Sequence, residues 1–123
     1  MGAIQNKTGK KFESQWADHL KGLGYWAYMF PNKQGQPCDI IAIKNNTPFF
    51  FECKTCNTDI FDCKRIEANQ HTASRYIRSC GNSNYFIVIK FKSGINIYKF
   101  KEIENFRKIE YQEDKSEYEI YFK

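Results

Sequence analysis

The stretch "DIIAIKNNTPFFFECKT", residues 39–55, contains two apolar runs separated by residues that favour a turn. The Ile-rich and Phe-rich runs are typical of β-strands, and "NNTP", residues 45–48, is typical of a turn. The stretch therefore predicts an antiparallel hairpin with strands at 39–44 and 49–55. Because three phenylalanines predict burial of the second strand, the charged side chains of Glu52 and Lys54 beside them need an explanation.

The predicted hairpin brings its charged residues onto one face. Side chains alternate between the faces of a strand, so Glu52 and Lys54 point to one side and Cys53 to the other. A four-residue turn sets Asp39 opposite Lys54, and a shift by two residues sets Asp39 opposite Glu52 instead. Either register places two carboxylates and one amine together. Since neighbouring carboxylates repel each other, we interpret the group as a site completed by a divalent cation, Mg²⁺ or Mn²⁺, and by a substrate phosphate.

The pattern on either side of the hairpin predicts an α/β fold in the order α-β-β-β-α-β-β, with a mixed sheet. Thr8 is the predicted N-cap of the first helix, and the continuous apolar run "YFIVIKF", residues 85–91, predicts a buried, central strand. The other predicted elements are helices at 8–23 and 62–80, strands at 25–30 and 95–100, a short helix at 101–106 and a late strand at 118–123.

Length and composition fit one compact domain. The chain has 123 residues, and we expect a motif-bearing core at about 8–100 followed by an extension at 101–123. The net charge of +5 favours a polyanionic partner such as nucleic acid. We expect a cytoplasmic protein, because the N-terminus lacks the apolar segment of a signal peptide and no apolar run approaches the length of a membrane span.

The five cysteines do not predict a disulfide framework, because their number is odd and no secretory signal accompanies them. Cys53, Cys56, Cys63 and His71 form an alternative ligand set for a structural zinc ion. Their spacing is not that of a paired knuckle, and we interpret the thiols as mostly reduced and packed.

Glu13 in the first helix, Asp39, the tripeptide Glu52-Cys53-Lys54 and Gln70 in the second helix follow one another in an order that resembles the PD-(D/E)XK nuclease superfamily. The segments "GKKFE" (9–13), "FDCKRIEANQ" (61–70) and "NYFIVIKF" (84–91) make the chain most similar to RecU-type Holliday junction resolvases and their small phage relatives. The resemblance implies a restriction-endonuclease-like αβββαβ core, with a mixed central sheet flanked by helices.

The resemblance also implies roles for these residues. Asp39 and Glu52 are expected to bind the metal together with the backbone carbonyl of Cys53. Lys54 is expected to position or activate the attacking water, and Gln70 to orient that water or the Lys54 amine. Glu13 is expected to act as a more distant ligand or as a ligand of a second metal. The predicted DNA contacts are Lys10, Lys11, Lys33, Lys64, Arg65 and Arg75.

Together these features predict a Mg²⁺- or Mn²⁺-dependent DNA endonuclease, with a Holliday junction as its expected substrate. Two symmetric cuts need two active sites, so a homodimer is expected, in the cytoplasm of a bacterial or phage-infected cell. Three alternatives remain: a restriction-like or repair endonuclease acting on duplex or flapped DNA, a non-catalytic DNA-binding module on the same fold, and a zinc-binding interaction protein.

Overall fold

A computed structural model describes residues 2–31, 34–113 and 122, with side chains described from residue 9 onward. Its helices are α1 (Gly2–Gly22), α2 (Ala68–Ser79) and α3 (Phe100–Ile103), and a 3₁₀ turn covers Cys63–Arg65. Its strands are β1 (Trp26–Met29), β2 (Ile40–Lys44), β3 (Thr47–Thr55), β4 (Ile60–Asp62), β5 (Tyr85–Lys90), β6 (Ile95–Lys99) and β7 (Lys108–Glu110). None of the described helices is long and apolar enough to cross a membrane.

Five strands form the main sheet in the order β1-β2-β3-β5-β6. The β3–β5 pair is parallel and the other pairs are antiparallel, so the predicted mixed sheet is confirmed. Strand β5 lies between β3 and β6, and five of its six residues are buried, as the continuous apolar run predicts. A second, two-stranded sheet joins β4 to β7.

The main sheet separates two apolar layers. On one face, α1 packs Phe12, Trp16 and Leu20 against buried side chains of the central strands, including Phe51 and Val88. The opposite face is covered by α2, α3 and the 3₁₀ turn, whose apolar residues pack with alternate residues of β5. Because side chains alternate along β3, Phe51 and Cys53 enter the first layer, whereas Glu52 and Lys54 face the α2 side.

The β2–β3 hairpin closes through two residues and not through the predicted four-residue turn. Asn45 and Asn46 both have positive φ, +52° and +63°, which is the conformation of a tight type I′ hairpin. Asparagine tolerates this region, so the chain reverses early and Thr47 opposite Lys44 already belongs to β3. The pairing of Ile40 with Phe51 selects the second of the two predicted registers, in which Asp39 stands opposite Glu52.

Two predicted helix boundaries are wrong. Helix α1 begins at Gly2, so Thr8 lies inside the helix and is not an N-cap; residues 2–8 contain no proline to prevent the extra turns. The predicted helix 62–80 begins only at Ala68, because residues 60–62 pair with β7 and the 3₁₀ turn follows. The short helix predicted at 101–106 is found as α3, and the predicted late strand at 118–123 lies outside the described residues apart from Phe122.

Candidate active site

Asp39 and Glu52 lie next to each other at one end of the sheet. Asp39 immediately precedes β2, and its backbone N–H donates to the Phe51 carbonyl oxygen at 2.9 Å, which extends the β2–β3 ladder by one step. Both acidic residues face the α2 side and are only 6% and 3% exposed. The strand pairing thus places two carboxylates in a nearly dry environment, where the charge of Asp39 disfavours ionisation of Glu52.

Both carboxylate oxygens of Asp39 accept hydrogen bonds. The backbone N–H of Cys53 donates to Oδ2 at 2.8 Å, and Gln36 Nε2 donates to Oδ1 at 3.2 Å. Burial raises the pKa of Asp39, whereas the Cys53 N–H and the charge of Lys54 oppose the rise. Because N–H and C=O of one strand residue point to the same side, the Cys53 carbonyl is expected on the β2 side of β3, beyond the end of β2.

The carboxylate of Glu52 is held at one oxygen and lacks a donor at the other. Gln70 Nε2 donates to Oε1 at 2.7 Å, while Oε2 is buried without a hydrogen-bond partner among the described residues. Burial first, and then the charge of Asp39, raise the pKa of Glu52 well above its ordinary value. Asp39 cannot donate to Oε2 while both groups are ionised, so the pair needs a shared proton or a cation between them.

The side chain of Gln70 is fixed in orientation at the start of α2. Its Oε1 accepts from the backbone N–H of Glu67 at 3.0 Å, which leaves Nε2 to face Glu52. Gln70 is 5% exposed, unlike most helical glutamines. The helix start therefore holds the Glu52 carboxylate in place.

Lys54 reaches the edge of the carboxylate pair. Its Nζ lies 4.0 Å from Glu52 Oε1 and donates to the Arg65 carbonyl oxygen at 3.2 Å. The Lys54 side chain is 13% exposed, so its ammonium group stands where the buried carboxylates meet solvent. A phosphate that approaches the site meets this positive charge first.

Glu13 joins the site from the other layer of the molecule. It lies on α1, is 7% exposed, and its charge contributes to raising the pKa of Glu52 and of the Cys53 thiol. For both groups burial is the larger cause. Glu13 is therefore near enough to interact electrostatically with Glu52, and its role as a ligand stays a prediction.

The arrangement fits a hard divalent cation. Asp39, Glu52 and the Cys53 carbonyl offer oxygen ligands, which Mg²⁺ and Mn²⁺ prefer. Glu52 Oε2 accepts no hydrogen bond from the described residues, so it is available to a metal ion. Among the described residues no three His, Cys, Asp or Glu side chains are placed to hold a metal ion together. The zinc set of Cys53, Cys56, Cys63 and His71 is therefore not assembled, since all four residues are described.

Three contacts of the site were not foreseen from the sequence. Gln36 donates to Asp39, and Asn69 Nδ2 donates to the Gln36 carbonyl oxygen at 2.7 Å, which ties the loop before β2 to α2. Arg65 receives the Lys54 hydrogen bond at its carbonyl oxygen. Loop amides and main-chain carbonyls give no sequence pattern, although the closeness of Gln36 to Asp39 along the chain was a usable signal.

The basic residues predicted to contact DNA lie in several places. Lys10 and Lys11 are exposed on α1, Lys64 and Arg65 are exposed in the 3₁₀ turn, and Arg75 is exposed on α2. Lys33 lies outside the described residues. The guanidinium group of Arg65 is engaged, because Nη1 donates to the Thr55 carbonyl oxygen at 2.8 Å and the group lies 5.2 Å from the centroid of the Phe61 ring.

Comparison with known proteins gives a family. The family model described as archaeal Holliday junction resolvase (Hjc) matches residues 4–122, a longer span than residues 9–91, which carry the sequence resemblance. Among solved structures, Hjc from Archaeoglobus fulgidus, a Holliday junction resolvase from an archaeal hyperthermophile, superposes with a TM-score of 0.65 at 19% identity over 84% of each chain. At this identity the superposition shows the fold alone. No curated protein sequence matches the chain. The narrower likeness to RecU-type and phage proteins stays a prediction.

Proposed function

The chain belongs to the archaeal Holliday junction resolvase family. On this premise we propose that it is a divalent-metal-dependent endonuclease that cuts four-way DNA junctions, with an active site formed by Asp39, Glu52 and Lys54. Family membership makes it a nuclease of branched DNA. The observation that supports the site most directly is the buried carboxylate pair, in which Glu52 Oε2 has no described donor. Such a pair is costly unless a positive charge completes it.

In this proposal Asp39, Glu52 and the Cys53 carbonyl hold Mg²⁺ or Mn²⁺. A cation bound there would stabilise negative charge on the phosphodiester and make a nearby water more acidic. Gln70 keeps Glu52 Oε1 fixed, so the other oxygen stays directed away from α2. Glu13 adds negative charge from α1 and serves as a more distant ligand or as the ligand of a second metal.

Lys54 acts on the substrate side of the site. Its ammonium group, held by the Arg65 carbonyl oxygen, is placed to stabilise the charge that develops on the phosphate and to position the attacking water. Lys10, Lys11, Lys33, Lys64 and Arg75 are proposed to contact DNA phosphates, which gives affinity without reading sequence. Arg65, whose guanidinium group is engaged by Thr55, is proposed to position Lys54 instead. Two cuts require two such sites and hence a homodimer.

The proposal is tested by incubating the protein with labelled four-way junction, linear duplex and single-stranded DNA in Mg²⁺, Mn²⁺ or EDTA. We expect paired nicks in the junction with a divalent cation and none in EDTA. Glu52→Gln should lose more than about 100-fold in cleavage rate, because outer partners of metal ligands alone are worth about 10–100-fold. Asp18→Asn, which removes an exposed carboxylate on α1, is the matched control and should cut like the wild type.

Other outcomes separate the alternatives. Cutting of all three DNAs that still depends on Glu52 would retain the nuclease and remove the junction preference. Cutting that survives Glu52→Gln would refute the assigned site. Binding without cutting under every metal condition would favour the non-catalytic DNA-binding module.

A further inference from the structure

Tyr85 places a hydroxyl group inside the apolar layer on the α2 side of the sheet. It begins β5 and is 1% exposed, and no other side chain of the five buried residues of that strand has a polar atom. Its ring stacks on Phe50 with centroids 6.4 Å apart and meets the Phe100 ring edge-on at 5.1 Å. Because a buried tyrosine hydroxyl usually has a hydrogen-bond partner, the partner of this one indicates what it does.

The partner lies in the loop that leads to Asp39. The Tyr85 hydroxyl donates to the carbonyl oxygen of Pro37 at 2.5 Å. Proline has no backbone N–H, so its carbonyl is the one main-chain group through which a hydrogen bond can hold that residue. Burial first, and then the charge of Glu52, raise the pKa of Tyr85, so the hydroxyl keeps its proton at neutral pH and remains a donor. Strand β5 therefore fixes the loop two residues before Asp39.

Gln36 connects this fixed point to the Asp39 carboxylate. Its carbonyl oxygen accepts from Asn69 Nδ2 at 2.7 Å, and its Nε2 donates to Asp39 Oδ1 at 3.2 Å. Two successive carbonyl groups of the loop are thus held, one from α2 and one from β5. Because these two contacts restrain the backbone that carries the Gln36 side chain, its amide stays beside Asp39.

We propose that Tyr85 is a positioning residue of the candidate active site. By holding Pro37 it keeps Gln36 hydrogen-bonded to Asp39. This role rests on the proposed function, in which Asp39 is a metal ligand. A ligand that is already oriented loses less freedom when the cation binds, so outer partners of metal ligands raise metal affinity. Because Tyr85 is too deeply buried to contact DNA, its hydroxyl should affect metal affinity and leave DNA affinity unchanged.

Tyr85→Phe tests this role because it removes the hydroxyl and retains the packed ring. Without DNA, calorimetry should show Mn²⁺ bound about tenfold more weakly, the lower end of the range for outer partners of metal ligands. Cleavage should need correspondingly more Mn²⁺, and the junction Kd in EDTA should equal that of the wild type. Tyr98→Phe is the matched control, because the Tyr98 ring packs against the same apolar layer and its hydroxyl donates to Asn96 Oδ1 at 3.2 Å. This control should bind Mn²⁺ like the wild type.

A second measurement requires neither metal nor cleavage. The Cys53 amide donates to Asp39 Oδ2 at 2.8 Å, so its proton resonance in EDTA reports where that carboxylate lies. Tyr85→Phe should move this resonance and Tyr98→Phe should not, while urea unfolding establishes that both variants are folded. Equal Mn²⁺ affinity in Tyr85→Phe and the wild type, or a Cys53 resonance that stays in place, would overturn the proposal. A wild type that binds no Mn²⁺ would instead contradict the proposed function, and the Cys53 resonance would still decide the role of Tyr85.

A double variant tests whether Tyr85 acts through Gln36. Gln36→Ala removes the donor to Asp39 Oδ1 and should itself weaken Mn²⁺ binding. If the hydroxyl acts only by keeping that donor in place, adding Tyr85→Phe to Gln36→Ala should weaken binding little further. Independent losses that multiply in the double variant would refute the proposed route from Pro37 to Asp39.

Discussion

At the scale of single residues, burial of the Glu52 carboxylate beside Asp39 is expected to destabilise the folded chain when no cation is bound. The carboxylate is buried beside Asp39, and one oxygen has no donor among the described residues. Without a cation, the folded chain must either confine two negative charges or retain a proton. A buried group that serves function at the expense of stability is common in active sites.

The pKa of Glu52 therefore predicts how stability changes with pH. A carboxyl group whose pKa is raised on folding contributes stability that is present below its unfolded value, about 4.5, and is lost as pH rises through the folded value. In EDTA the wild type should lose stability from pH 5 to pH 8, and Asp39, whose pKa is also raised, acts in the same direction.

Glu52→Gln should remove most of this dependence. Its amide oxygen can still accept from Gln70, and no charge is confined, so at pH 8 in EDTA the variant should be more stable than the wild type by roughly 1 kcal/mol or more. The difference should shrink as the pH is lowered toward 4.5, because the raised pKa of Glu52 lets it retain its proton over more of that range. Urea denaturation at several pH values measures this. Equal stabilities at every pH would contradict the strained carboxylate pair.

At the scale of elements, the 3₁₀ turn Cys63–Arg65 positions Lys54 through a single residue. Arg65 accepts from Lys54 Nζ at its carbonyl oxygen and donates from its guanidinium group to the carbonyl oxygen of Thr55, the next residue of β3. The guanidinium also lies over the Phe61 ring of β4. One side chain thus links the turn to both strands that flank it.

Arg65→Ala should therefore reduce the cleavage rate more than it reduces DNA affinity. We expect about a tenfold lower kcat, typical of residues that orient a catalytic group, and a smaller change in junction Kd. Lys64→Ala, at the neighbouring exposed lysine, is the matched control and should weaken binding and its salt dependence without lowering kcat. Arg65→Lys should retain part of the rate. If Arg65→Ala weakens binding alone, Arg65 is a phosphate contact and not a positioning residue.

The elements also separate what sequence reasoning can and cannot predict. The alternation of "FFFECK" was enough to place Glu52 and Lys54 on the face of Asp39, and the apolar run of β5 was enough to place that strand at the centre. The register stayed ambiguous by two residues because the sequence "NNTP" is compatible with both a two-residue and a four-residue turn. The φ angles of Asn45 and Asn46 decide it, and they depend on the folded hairpin.

Residues 60–67 resisted prediction for a different reason. Residues 62–67 were predicted as the start of the second helix and residues 60 and 61 as part of a loop, yet Phe61 pairs with Ile109, more than 40 positions further along the chain. A partner so distant leaves no periodic signal near either strand, and tertiary pairing overrides local propensity. The Lys54–Arg65 contact, only 11 positions apart, was missed because its acceptor is a main-chain carbonyl, which leaves no sequence pattern.

At the scale of the whole molecule, the C-terminal third supports a site that contains none of its residues. Strand β7 pairs with β4, the Cys63 N–H donates to the Arg107 carbonyl oxygen at 3.0 Å, and the Tyr111 N–H donates to the Asp59 carbonyl oxygen at 2.8 Å. These bonds fix β4 and the 3₁₀ turn, which in turn hold Lys54. The family match through residue 122 is consistent with a structural role for this part of the chain.

Substitutions at two buried isoleucines can separate the positioning of Lys54 by β7 from the contribution of this part of the chain to folding stability. Ile109 of β7 and Ile103 of α3 are 5% and 2% exposed and belong to the same apolar cluster. Substitution of either by alanine should cost about 2–5 kcal/mol in the free energy of unfolding, through lost burial and the cavity left behind. Only Ile109→Ala, however, loosens the sheet that carries the 3₁₀ turn and the Lys54 contact.

We therefore expect Ile109→Ala to cut four-way junctions several-fold more slowly than Ile103→Ala at a temperature where both are folded. Circular dichroism establishes the folded fraction, and single-turnover cleavage at saturating protein measures the chemical step without the contribution of affinity. Hydrogen exchange at the Cys63 and Tyr111 amides should accelerate in Ile109→Ala and stay near the wild-type rate in Ile103→Ala. The reason is that the acceptor for Cys63, the Arg107 carbonyl, and the Tyr111 amide itself directly flank β7. Equal losses of rate in the two variants would mean that the C-terminal strand adds stability alone and that Lys54 is positioned without it.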